Sequence, residues 1–186
     1  MNFGNYTRGL LVGLLAATVS TSPAMAAVTP SQGSLGATSQ GVVGISATVP
    51  QRVQLTGLSD FTFSSLDPAN ASSTPENVCV WSNTTTKGYT ITAQGSGTSS
   101  AFTLTNGSTT LAYGVQWSGS SGATSGTPLG VNTPSSFTST ATSPTCSSAP
   151  TTTASLIVGF TAAQLQAAVG SATAYTGTLT LTVAPQ

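Results

Sequence analysis

Few residues in this chain can do covalent or acid–base chemistry. Beyond Arg8 near the amino terminus, the ionisable inventory is Arg52 and Lys87 against Asp60, Asp67 and Glu76, with two cysteines, Cys79 and Cys146, and no histidine. Two carboxylates at a suitable separation could cleave a glycosidic bond. Asp60 and Asp67, however, have the character of turn formers, and Glu76 reads as a loop charge. Serine and threonine supply about a third of the residues, yet a nucleophilic hydroxyl needs a base beside it, and only Lys87 is available. Without histidine, a His-based triad and a His-ligated metal site are both excluded. Three Lys plus Arg in 186 residues cannot form the basic stripe that a nucleic acid requires. The expectation is a protein that is not an enzyme, with no cofactor, no metal and no nucleic-acid partner.

The cysteines point to a compartment rather than to a reaction. In an oxidising environment an even pair is most simply one disulfide, Cys79 to Cys146, and closing so long a loop is worth about 4 kcal/mol by the chain-entropy argument. A catalytic thiolate would have only Arg52 and Lys87 to stabilise it. The first residues agree with export: a charge at Arg8, an apolar run from Leu10 to Val19, and an A-x-A site at Ala24-Met25-Ala26 form a secretory signal peptide over 1–26. That run falls far short of the ~20 residues of a spanning helix, and no later stretch reaches it, so stable membrane insertion is not expected.

The rest of the chain must be built from β structure. Charged residues are only 3% of the chain while hydrophobic residues are 38%, which is the opposite of the charge-rich, apolar-poor composition of disorder. Residues 27–40 form a small, polar leader. Alternation then begins: Val43, Ile45, Ala47 and Val49 share one face of an extended strand that ends at Pro50. Val53 with Leu55, and Phe61 with Phe63, continue in phase, and 67–77 is a loop by its Pro, Asn and Ser content. Tyr89, Ile91 and Ala93 share a strand face. Asn106-Gly107, between Phe102/Leu104 and Leu111/Tyr113/Val115/Trp117, marks a hairpin with a type I′ turn. Residues 118–130 and 136–153 are low-complexity loops, 154–160 is a buried strand, and Thr161 caps a short helix ending before Gly170. In the last run Tyr175, Gly177, Leu179, Leu181 and Val183 face one way and four threonines face the other. These short strands predict an all-β, Greek-key β-sandwich over 50–186, with a closed barrel as the rival.

The most regular strand is also the last, so if it lies inside a sheet its outer neighbour must come from elsewhere. The strand 43–49, reached through the leader, is a candidate. It either pairs within its own chain as the first strand of a complete sandwich, or completes the sheet of another copy by strand addition. In the second case Val43, Ile45, Ala47 and Val49 fill successive pockets, contributing about 4–8 kcal/mol at ~25 cal/mol per Å², and the contact between unlike surfaces propagates as an open fibre.

The secretion signal, the amino-terminal alternating strand, the single disulfide, the Thr-rich composition and the terminal YTGTLTLTVAP together resemble subunits of chaperone–usher fimbriae, nearest to the spore coat U and archaic or alternative pilin groups. Chains of those groups commonly end in G-x-Y-x-x-x-L-x-L-x-V, matched here at Tyr175, Leu179, Leu181 and Val183. The stretch GISATVP is similar to the donor strand of the class that includes colonisation-factor pilins. The cysteines sit later than the early pair of type 1 and P pilins, and the penultimate Tyr of those chains is absent. The resemblance implies an incomplete immunoglobulin-like fold completed by a donor strand from the next subunit. It implies copies of the same chain, a periplasmic chaperone and an outer-membrane usher as partners, and passage through the periplasm to the cell surface. One domain over 50–186, preceded by leader and donor strand over 27–49, suits a shaft subunit. The alternative is a secreted monomeric adhesin whose Trp81, Trp117, Tyr89 and Tyr113 form a platform for sugar rings.

Overall fold

The computed structural model describes residues 29–186, so the expected signal peptide over 1–26 lies outside the described residues. The chain divides into two compact units, Met1–Thr48 and Val49–Gln186. In the described part of the first, Ser31 and Val42 exchange two backbone hydrogen bonds of 3.0 Å each. The backbone from 31 to 42 thus closes into a loop. Gly33 lies inside this loop, where a Cβ would meet the Ser39 hydroxyl. Residues 43–52 belong to no β-ladder, so of the two alternatives for Val43 to Val49, pairing within their own chain is not what the structure contains.

The second unit is an all-β sandwich of antiparallel sheets. Its strands are β1 (Val53–Thr56), β2 (Ser72–Ser82), β3 (Gly88–Gly95), β4 (Thr103–Asn106), β5 (Thr109–Ala112), β6 (Gly114–Ser118), β7 (Thr127–Pro128), β8 (Ser135–Thr138), β9 (Ala154–Phe160) and β10 (Leu179–Pro185), with one helix, α1 (Ala162–Ala167), after β9. One sheet runs β1-β2-β9-β6-β7, the other β10-β3-β8, and β4-β5 is a separate hairpin. Both large sheets have free end strands, so the fold is open and not a closed barrel. Alternation delivers the core. Val78 and Val80 of β2, Leu156, Val158 and Phe160 of β9, and Val115 and Trp117 of β6 meet Tyr89, Ile91 and Ala93 of β3. Trp117 Nε1 donates to Tyr89 Oη at 3.0 Å, satisfying two polar atoms inside the core.

β2 is buried on both faces over Val78, Cys79 and Val80, because the Cys79–Cys146 disulfide draws a loop over its outer side. Ala141 and Trp81 pack on that bridge, and Thr153 Oγ1 accepts from the Val80 amide at 3.0 Å.

Several boundaries differ from the sequence-based expectation. β2 begins at Ser72, inside the expected loop over 67–77, so Glu76 is a strand residue and not a loop charge. Residues 72–78 have β9 as their ladder partner while β1 pairs only with 79–82, which leaves an edge where Pro75 is tolerated. β7 lies within a stretch expected to be a loop, and β8 overlaps another. In β8 a Ser/Thr-rich strand is recruited by one aromatic, Phe137, whose ring lies 6.1 Å from Tyr89 and 6.5 Å from Trp117. The hairpin turn is shifted by one residue: Asn106 pairs with Thr109, and Gly107 at φ +61° takes the first central position, as in a type II′ turn. Helix α1 has the expected cap, Thr161 with Gln164 closing a capping box, but ends at Ala167. Phe61 and Phe63 pack on the core without forming a strand.

Candidate functional site

A cleft of about 600 Å³ lies between the unladdered segment 58–63 and the start of β10. Its floor is the inner face of β9, with Leu156, Val158 and Phe160, and Leu104 and Tyr113 close one end. The wall 58–63 follows Gly57, whose φ of +85° turns the chain out of β1. The wall is held by side chains. Phe63 stands edge-on to Phe160 at 5.0 Å and near-parallel to Phe61 at 6.4 Å. Ser59 Oγ donates to Glu76 Oε1 of β2.

The opposite wall is an unpaired sheet edge. β10 pairs with β3 over seven residues and ends its sheet. The amide of Gln186 donates to Gly88 O at 3.1 Å and that of Thr178 to Ser96 Oγ at 3.0 Å. With a side-to-side period of two, Thr180, Thr182 and Ala184 therefore aim their amides at β3. Leu179, Leu181 and Val183 turn their N–H and C=O groups away from β3, and no described strand is hydrogen-bonded to them there. Their side chains still point inward and pack on the core. The edge thus offers backbone bonds above an apolar floor, which is the equipment for accepting an extended segment.

Two buried polar atoms in this region have no partner among the described residues, Tyr113 Oη and Glu76 Oε2. Tyr113 is only 6% exposed and lines the cleft; burial pushes its phenol above the usual tyrosine range. Tyr89 is also raised by burial, with the Trp117 hydrogen bond acting against the shift.

Of the residues expected to accept a strand, Tyr175, Leu179 and Leu181 line the cleft, and Val183 lies further along β10, outside it. Tyr175 precedes the strand, since Thr176 bridges to Thr105 instead of β3, and its hydroxyl donates to Val169 O at 2.8 Å. Val43, Ile45, Ala47 and Val49 are all exposed, Ile45 at 91%. The four-ring sugar platform does not form: Trp117 and Tyr89 are 0% and 1% exposed, Tyr113 is core, and Trp81 packs against the disulfide.

The carboxylates do different work. Asp60 lines the cleft and is exposed. Asp67 accepts from the Ala69 amide at 2.9 Å and from Asn70 Nδ2 at 2.8 Å, and these bonds hold its carboxyl below the usual range. Asn106 Nδ2 ties the hairpin to Ser171 Oγ and Thr173 O at 2.8 Å each. No group of three or more His, Cys, Asp or Glu side chains gathers to hold a metal among the described residues. No helix among them is long and apolar enough to cross a membrane.

The cleft wall at 58–63 is the part that strand-by-strand reading misses. The alternation of Phe61 and Phe63 is visible, but it signals a strand, and only the missing ladder makes it a wall. No protein-family model matches the chain, and no curated protein matches it.

Proposed function

We propose that this chain is a structural subunit of a surface fibre, polymerising when residues 43–49 of one copy enter the cleft of the next. The observation that carries the reading is the cleft itself: an apolar floor between a wall without a ladder and the outward backbone groups of Leu179 and Leu181. The same chain carries an alternating apolar segment that lies in no ladder and is exposed at Val43, Ile45, Ala47 and Val49. Inserted along β10, that segment would pair its backbone with the free edge and lower Val and Ile side chains onto β9. Because donor and acceptor are different surfaces, each addition leaves a new acceptor and the assembly grows as a filament.

The resemblance to chaperone–usher pilins extends the proposal. The cleft would then be an immunoglobulin-like groove lacking its last strand, held by a periplasmic chaperone and filled at an outer-membrane usher after export. The test is deletion of 41–49. The mature chain is expected to give ladders that resist boiling on a denaturing gel. The deletion variant should give none alone, yet bind a synthetic 41–49 peptide. Ladders from the deletion variant would refute the proposal.

A further inference from the structure

The segment before β1 runs through residues 50–52, and one residue holds both ends of that stretch. Asn83, which directly follows β2, accepts from the Arg52 amide through Oδ1 at 2.6 Å. Its Nδ2 donates to the Pro50 carbonyl at 2.9 Å, and its own amide donates to the Arg52 carbonyl at 3.1 Å. The β1–β2 ladder stops at Val53↔Ser82, so Asn83 carries on with a side chain where ladder pairing has ended. A carboxamide is suited to this, since it presents an acceptor and a donor on one planar group. Pro50 adds a fixed φ at the start of the clasped stretch.

We infer that the Asn83 clasp is the joint that sets the direction in which each copy presents its donor segment, and so the stiffness of the fibre. This rests on the strand-donation reading. Once residues 43–49 are seated in a neighbouring cleft, the chain between that cleft and β1 is the stretch 50–52. Left unbound, it is a short linker with many conformations. Bound at Pro50 O and at both backbone groups of Arg52, it has one. Asn83 is a positioning residue in this scheme: it touches neither the donor side chains nor the cleft, and it acts through the backbone it holds.

The experiment compares fibres of the mature chain with those of Asn83→Ala and Asn83→Asp, by persistence length in negative-stain micrographs and by hydrogen exchange at Arg52. Aspartate keeps an acceptor for the Arg52 amide and loses the donor to Pro50, so it also covers the case in which alanine impairs folding. Boiling-resistant ladders are expected from all three, because strand pairing is untouched. The persistence length should fall at least about twofold in Asn83→Ala as the joint becomes a free linker, with Asn83→Asp between. Arg52 should lose its exchange protection only in the alanine variant. Variant fibres as stiff as the parent, with ladders intact, would overturn the clasp and leave strand donation standing. A parent chain without ladders would remove strand donation, and the clasp's role with it.

Discussion

The two walls of the cleft are made from similar sequence and held by different means. On one side, Leu179, Leu181 and Val183 alternate with threonine and pair with β3 over seven residues. On the other, Phe61 and Phe63 alternate with polar residues yet have no ladder, and are kept in place by aromatic packing and the Ser59–Glu76 hydrogen bond. Alternation commits a face of the chain to the core, but a ladder needs a neighbour at the right distance. The segment 58–63 lines the cleft and belongs to no ladder. The difference is the one on which the proposed strand donation rests.

The largest effect that separates the walls should come from their common floor. Phe160 is buried and carries Phe63, so Phe160→Ala should cost about 3–5 kcal/mol in urea denaturation. Limited proteolysis of that variant should cut within 57–66 before 179–185. Equal cutting in both would mean the two walls are held alike. A backbone test comes next. Thr182→Pro removes an amide that the period of β10 aims at β3, at about 1–3 kcal/mol, whereas Thr62→Pro should stay within about 0.5 kcal/mol because the wall has no ladder to lose. A large loss at Thr62 would reveal backbone bonding that the geometry does not contain.

This contrast also explains what sequence alone can show. β3, β9 and the core part of β10 are legible because each presents either strict alternation or an unbroken apolar run. The disulfide follows from there being only two cysteines in a chain read as exported. β8 is not legible, since one phenylalanine among Ser and Thr sets no period, and its pairing depends on Tyr89 and Trp117 from distant strands. The start of β2 is hidden by Pro75, which reads as a loop until the free edge beside it is known. Half of the candidate site, the β10 face, is therefore visible as a strand. The other half is visible only as two phenylalanines whose strand is missing. The unpartnered Tyr113 hydroxyl belongs to neither pattern, because it depends on what the surrounding elements fail to supply.

Smaller changes sharpen the comparison without unfolding the unit. Ser59→Ala removes the polar tie of the wall and should lower stability by about 1 kcal/mol, read as a shift of the urea midpoint. Exchange protection along β10 should not change. Loss of β10 protection would show that the tie acts on both walls.

The smallest effect is one of pH, and it too should fall on one side only. The turn that follows the wall is held by Asp67, whose carboxylate accepts from Ala69 and Asn70 and is thereby kept below its ordinary value. A carboxyl lowered in the folded state contributes stability above its unfolded pKa and loses it as pH falls through the folded value. β10 carries no ionisable side chain. Acid should therefore loosen the turn at 67–70 while the β10–β3 ladder keeps its protection, and Asp67→Asn should remove the pH dependence of the protection factor at Ala69. Because Asp67 is fully exposed, salt and solvent screen the effect. The pH dependence should be local and small, visible in the protection factor at Ala69 and absent from the global midpoint. If acid released β10 first, the laddered wall would be the weaker of the two, and the account of how the cleft is held would fail.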